Sequence, residues 1–270
     1  MKKSVLVVLL LILSLFLVSF PQIVIVNAQS NTIYIRADGI VEGTDKIHRD
    51  GDVFTLIGNI SGRINVERNF TIIDGECFTL KGNGEGTGID LRFTDGPLIT
   101  NVTIKNLQIT NFEYGIFSSI NNTFIGNYIS DCFCGINILG GSNSLILNNT
   151  LINNGNPISI AYSGGNHTIT QNNIINGTTI IVWLSAQPNV FMNYWSDYNG
   201  TDTNGDGIGD TPYVYINADY AKLSDNYPLI EPVPTIPEFP SWTILPIFLV
   251  TTLCALVIKK RLFHQRTLST

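Results

Sequence analysis

Charge is what the middle of this chain lacks. From Cys132 to Ser196 there is no Asp, Glu, Lys or Arg. Acid–base cleavage of a polymer needs carboxylates, a metal held by them, or a basic group beside the substrate. Around this stretch the sequence supplies only Lys105, Glu113 and Asp131, with His167 alone inside it. Glu113 and Asp131 do not share a place in the repeat described below. Asp90, Asp95 and Glu85 remain as the one region where a carboxylate pair could form. The shortage argues against a hydrolase or lyase.

Soft metal ligands are also scarce, with two Met and three His. Of the four Cys, Cys254 lies in an apolar C-terminal run, leaving an odd three: Cys77, Cys132 and Cys134. A small disulfide-stapled fold uses more, at more regular intervals. Cys132-Phe-Cys134 would set two thiols on one face of a strand, a soft pair suited to Cu(I), against the simpler reading of two buried core cysteines. Basic residues are few where it matters. Between positions 29 and 240, nine Lys and Arg meet 21 Asp and Glu, a formal charge of −12. That balance argues against nucleic acid or an anionic surface as partner.

The two ends hold the long apolar runs. Lys2 and Lys3 precede Val5 to Phe20, and Val26-Asn-Ala28 comes before Gln29, the pattern of a secretory signal peptide over 1–28. Trp242 to Ile258 is a run of 17 uncharged residues followed at once by Lys259, Lys260 and Arg261. This reads as a short membrane-spanning helix with its basic flank in the cytoplasm and Trp242 at the outer interface.

Between the ends there is a period. Ile104, Phe124, Ile146 and Ile169 stand 20, 22 and 23 residues apart. Ile109, Ile129, Leu151 and Ile174 repeat those spacings, as do Ile116, Ile136, Ile158 and Ile181. The repeating residues are Ile, Thr, Asn and Gly with period-2 alternation, which is strand chemistry. Short strands recurring at this length with no helical arc between them predict a parallel β-helix, whose stacked coils bury continuous apolar columns. Asn127, Asn149 and Asn172 follow the first column by three residues and predict an amide ladder at a turn, with Asn tolerating left-handed backbone there. In the earlier segment, Ile72 is read in the first column, with Gly75 in the ladder position and Cys77 in the column of Ile109. Lys81 to Gly88 is then a Gly-rich excursion without a phosphate-loop ending. Asn-X-Ser/Thr occurs at Asn59, Asn69, Asn101, Asn121, Asn148, Asn166, Asn176 and Asn199; these are glycan acceptors in an exported chain, or by-products of the repeat.

The sharpest local motif is Asp202-Thr-Asn204-Gly-Asp206-Gly-Ile208-Gly-Asp210. Oxygen side chains at loop positions 1, 3, 5 and 9, Gly at 6 and the Ile208 carbonyl at 7 match an EF-hand calcium loop. Position 12 departs from it, with Tyr213 for the bidentate Glu, so Asp219, Asp225 or Glu231 would have to complete the shell.

Asn121-Asn-Thr-Phe-Ile-Gly-Asn127-Tyr-Ile129 and Ile73-Asp-Gly75 resemble the coils of NosD-type periplasmic copper-binding β-helix proteins, grouped with the pectin-lyase-like folds. Asn193-Tyr-Trp-Ser-Asp197-Tyr, Asp202 to Tyr213 and Asp225-Asn-Tyr-Pro-Leu229 are similar to the closing segment of archaeal relatives. Pro237-Glu-Phe-Pro240 resembles an archaeal surface-anchoring signal. The resemblance implies a right-handed parallel β-helix and, from its relatives, a copper-binding accessory role. The expected organisation is a signal peptide (1–28), capping strands (29–66), coils (67–196), an Asp-rich cap (197–231), a Pro-rich linker (232–241), a membrane helix (242–258) and a cytoplasmic tail (259–270). The expected function is a surface-tethered binding or structural module, with polysaccharide or envelope components as partners; a polysaccharide-cleaving enzyme is the competing class. Tyr114, Tyr128, Tyr162 and Trp183 are the aromatics available to a glycan.

Overall fold

A computed structural model of the chain describes residues 32–92, 98–177, 180–183, 185–216 and 222–234. The segments read as signal peptide, membrane helix and cytoplasmic tail lie outside these residues. No helix among the described residues is long and apolar enough to cross a membrane.

The chain winds into three parallel sheets that share one core. Face 1 stacks Val53–Leu56, Ile72–Asp74, Thr103–Lys105, Thr123–Ile125, Leu145–Leu147, Thr168–Thr170 and Asn189–Phe191. Face 2 stacks Ile60–Ser61, Thr79–Lys81, Gln108–Thr110, Tyr128–Ser130, Thr150–Ile152, Asn173–Ile175 and Tyr194–Trp195. Face 3 stacks Thr32–Ile35, Arg63–Val66, Thr87–Asp90, Tyr114–Ser118, Cys134–Leu139, Asn156–Ala161 and Ile181–Trp183. Each strand alternates, so every second residue enters the core. Face 1 points Phe54, Ile73, Ile104, Phe124, Ile146 and Ile169 inward, one above the other. Face 2 answers with Ile60, Leu80, Ile109, Ile129, Leu151, Ile174 and Trp195. Face 3 contributes Ile33, Ile64, Ile89, Ile116, Ile136 and Ile158.

Antiparallel pieces close the N-terminal end. Val41–Glu42 pairs with Thr32–Ile35 on face 3, and Ile47–Asp50 pairs with Val53–Leu56 on face 1. The strands of 32–66 otherwise stack in parallel with the later coils. At the C-terminal end a hairpin, Tyr213–Ile216 with Lys222–Asp225, lies over the last coil.

Three column assignments from sequence shift by a few residues. Ile73, not Ile72, pairs with Ile104. Leu80, not Cys77, pairs with Ile109. The corner from Ile73 to Leu80 holds two more residues than the corner from Ile104 to Ile109, and the adjacent isoleucines 72 and 73 hide the slip. In the last coil Ser159 pairs with Ile181, which places the buried Ile180 behind Ile158 and turns Ile181 outward.

Candidate functional site

Every coil turns three corners, and each corner is made by two residues with separate duties. The first residue is left-handed. The corner before face 1 has Asn101, Asn121, Asn143 and Asn166, with φ of 57°, 53°, 60° and 59°. The corner between faces 1 and 2 has Asn106, Gly126, Asn148, Gln171 and Met192, and that between faces 2 and 3 has Asn111, Asp131, Asn153 and Asn176. The second residue is buried and links the coils. At the middle corner the Asn127 N–H and amide donate to the Asn149 Oδ1 at 2.9 and 3.0 Å, Asn149 repeats this to Asn172, and Asn172 to Asn193. Each amide also donates to the carbonyl of the Ile or Phe one coil back. The ladder expected at Asn127, Asn149 and Asn172 is present. The left-handed backbone belongs to the residue before each rung.

The bonds from one Asn to the next all run the same way, so the last rung presents donors with no further coil to accept them. Asp225 meets them. Its carboxylate, fully buried, accepts the N–H groups of Met192, Asn193 and Tyr227, the Asn193 amide and the Trp195 indole N–H at 2.9–3.2 Å. An acceptor-only side chain at the donor end of an aligned stack is the sheet counterpart of an acidic cap on a helix N-terminus. This employment withdraws Asp225 from the calcium shell considered for it.

The corner before face 1 carries the one buried histidine among the described residues. The Ser144 N–H donates to His167 Nδ1 at 3.2 Å, so Nε2 holds the proton and donates to Ser163 Oγ. Ser163 Oγ donates to the Gly141 carbonyl and accepts the Gly165 N–H. Burial lowers the His167 pKa and keeps the ring neutral. A Ser–His pair four residues apart invites a nucleophile reading. Here the ring nitrogen nearest the hydroxyl is a donor and the hydroxyl is already committed, so the pair links coils and does not activate Ser163.

Among the described residues the scattered charges do not assemble an acid–base pair. Arg92 grips both oxygens of Asp90, at 2.8 and 2.6 Å, and stacks over the Phe117 ring. Lys105 pairs with Asp74 on face 1 at 2.6 Å. Asp131 occupies the left-handed corner column, while Glu113 lies two residues further along its own coil, in the column of Phe133. Glu85 is exposed in the Gly-rich excursion, and Asp95 lies outside the described residues. Among the described residues no three His, Cys, Asp or Glu side chains converge.

The copper role implied by the resemblance does not fit the two thiols. Cys132 lies in the corner before the strand and Cys134 at its start, both buried and unpaired to each other. Their S–H groups point at the carbonyls of Ser130 and Ile136. Burial pushes Cys132 up to about 11 and Cys134 up to about 12, away from the thiolate a soft metal would take.

The Asp-rich loop is a folded unit. The Asp202 carboxylate accepts the N–H groups of Gly205, Asp206 and Gly207 at 2.8–3.2 Å, and Gly205 and Gly207 take positive φ to permit the turn. The Asn204 side chain accepts the Asp206 N–H and donates to the Asp206 carboxylate. Asp210 Oδ2 accepts the Thr203 hydroxyl and N–H and the Thr201 hydroxyl, which hold its carboxyl below the usual carboxylate range. Gly207 to Gly209 pairs with Pro228 to Ile230, and Leu229 in turn pairs with Asn193 and Tyr194, so the loop is continuous with face 2. Hard oxygen donors on an exposed, glycine-hinged loop suit calcium. Asp206 and Asp210 would have to swing towards Asp202 to share an ion. Tyr213, at position 12, turns away: its ring stacks on Trp195 at 4.3 Å and its hydroxyl donates to Asp197.

An exposed aromatic pair lies at the end of face 3. Trp183 and Tyr162 meet edge-on, 5.0 Å between centroids, and are 42% and 54% exposed. Leu139, 44% exposed, shares the outward column with Ala161 and Trp183. Asn137 and Ser159 form the adjoining outward column. Asn137 is only 9% exposed and pairs with Phe117, whose ring lies under Arg92 and whose other neighbour in the column is Asp90. Tyr114 packs against Phe117, also on face 3, and Tyr128 stands half exposed on face 2, so the four aromatics named from sequence do not form one surface. Leu139 was not singled out by sequence, because nothing local marks an outward leucine inside a repeat of inward ones.

Three parallel sheets around one apolar core, with an amide ladder at one corner, define a β-solenoid of about six turns. The chain belongs to the family described as right handed beta helix region, whose model matches residues 57–208. No curated protein and no solved structure matches the chain.

Proposed function

We propose that this is an exported β-helix module, held at the membrane by the 242–258 segment, that binds neutral polysaccharide of the cell envelope on face 3. The observation that carries it is the exposed Leu139, Tyr162 and Trp183 cluster beside the Asn137 and Ser159 column. Monomeric proteins seldom leave a contiguous aromatic patch in water without a use for it. Ring faces suit the apolar faces of sugars, the Ser159 hydroxyl suits their hydroxyl groups, and the acidic balance of residues 29–240 favours a neutral chain over a uronate. The acidic balance of the exported part speaks against nucleic acid in the same way. Calcium bound by Asp202, Asn204, Asp206, Asp210 and the Ile208 carbonyl is part of the proposal, as a structural ion that would stiffen the cap.

Binding of the purified chain to immobilised neutral and uronate polysaccharides tests the main reading. Neutral polymers are expected to bind, with Trp183→Ala and Tyr162→Ala each weakening affinity about tenfold, the scale of one aromatic contact of about 1.4 kcal/mol. Release of reducing ends or unsaturated uronates would replace the module with an enzyme. For the ion, the melting temperature in millimolar calcium is expected to exceed that in chelator, with the difference lost in Asp202→Ala; identical melting curves would remove calcium from the account.

A further inference from the structure

Eight Asn-X-Ser/Thr sequences stand in the chain, and the fold separates them. The side-chain oxygens of Asn59 and Asn69 accept the N–H groups of Thr79 and Thr100. The Asn101 amide donates to the Thr100 hydroxyl and the Asn176 amide to Asn153. Asn148 is half-buried. Asn199 is exposed, but it lies in the cap and not on the repeat. Asn121 and Asn166 differ from the rest of the repeat. Both are exposed at the corner before face 1, both hold their side chains outward on a left-handed residue, and neither amide has a hydrogen-bond partner among the described residues.

The repeat does not require the threonine of these sequences. Thr123 and Thr168 sit in an outward column whose intervening member is Leu145. That coil folds in register with Asn143-Ser-Leu145, which is not an acceptor sequence. So the corner demands the asparagine, for its backbone, and leaves the hydroxyl two residues later free to vary. The omission at Asn143 also spaces the two acceptors by two rungs, about 10 Å, enough to keep bulky substituents apart on one corner.

We propose that Asn121 and Asn166 carry N-linked glycans, forming one sugared edge at the corner between faces 3 and 1. The reaction class is displacement: the amide nitrogen bonds to the anomeric carbon of a glycan carried on a lipid-linked phosphate or diphosphate, the phosphate leaves, and the amide proton passes to solvent. The proposal rests on the export reading above. The test uses the full chain purified from membranes of the native cell. Peptide mass spectrometry is expected to find glycan on the peptides of Asn121 and Asn166 and none on those of Asn59, Asn69 or Asn176. Asn121→Gln and Asn166→Gln should each remove one glycan mass without changing the circular dichroism spectrum. A chain digested by protease added outside intact cells, yet bare at both positions, overturns the proposal alone. A chain protected from that protease overturns the export reading and this proposal with it.

Discussion

His167 shows how much a single residue can be asked to do in a solenoid corner. Its ring stands where the neighbouring coils have Ser144 and Asn122, whose side-chain oxygens accept the N–H of the coil before. All three supply an acceptor at the same place, and His167 adds the bond to Ser163. The ring must be neutral to accept from Ser144, and burial keeps it so by lowering its pKa. In the unfolded chain it protonates near its ordinary value, about 6.5. The unfolded state therefore binds the extra proton first as pH falls, and the stability this histidine contributes is full above that value and lost below it. The midpoint of urea unfolding is expected to be flat from pH 8 to 7 and to drop between pH 6.5 and 5. Asn122 identifies an unprotonatable replacement, so His167→Asn should flatten the drop over that window; an unchanged drop would place its origin elsewhere.

At the scale of the element, the corners explain what the sequence disclosed and what it hid. Period and strand chemistry were legible because every coil from Asn101 to Ile174 repeats the same apolar columns, and three columns in register admit one architecture. The shifts at Ile73, Leu80 and Ile180 were hidden because corners can gain or lose a residue while the strands keep pairing, and a run such as Ile72-Ile73 offers two equal registers. The Asp-rich loop was legible as a local pattern, since its oxygen-bearing side chains all fall within nine residues. The patch of Leu139, Tyr162 and Trp183 was not, because its members come from three coils and their outward direction follows from register. Asp225 was misread for a similar reason: 32 residues separate it from Asn193, and only the fold brings an acidic side chain to the end of the ladder. Its role yields a second prediction. Asp225→Ala leaves five donors, three of them buried, without their acceptor, and Asp225→Asn turns an amide N–H₂ towards some of them. Each is expected to cost about 3 kcal/mol in chemical denaturation. Hydrogen exchange should rise first at Met192 to Trp195, the rung that loses its cap. Equal exchange along the whole ladder would mean that the end is not held by this carboxylate.

At the scale of the molecule, stability is close to a sum over coils, because each one touches only its neighbours. The columns then say which deletions the fold should accept. Removing Asn121 to Ser142, 22 residues, joins Ile120 to Asn143, one left-handed corner to its equivalent. Ile104 then meets Ile146, Ile109 meets Leu151, Ile116 meets Ile158, and the Leu107 N–H finds Asn149 in place of Asn127. Every pairing has a counterpart in the intact chain, and the cap at Asp225 is untouched. The shortened protein is expected to keep a β-rich circular dichroism spectrum and a cooperative transition at a lower temperature, having lost one coil's share of the core. Removing only Asn121 to Asp131, 11 residues, deletes one strand each from faces 1 and 2 but leaves that of face 3, so the coil cannot close. This variant should unfold or aggregate. The contrast separates two views of the chain. If both deletions are equally damaging, the coils are not interchangeable units and the special residues of this one, the Cys132 and Cys134 pair among them, carry something the packing does not explain. If the longer deletion is the better tolerated, register decides the fold. The polysaccharide binding proposed for face 3 should then follow the faces that remain: Leu139 is lost with the coil while Tyr162 and Trp183 stay, so any affinity should weaken without vanishing.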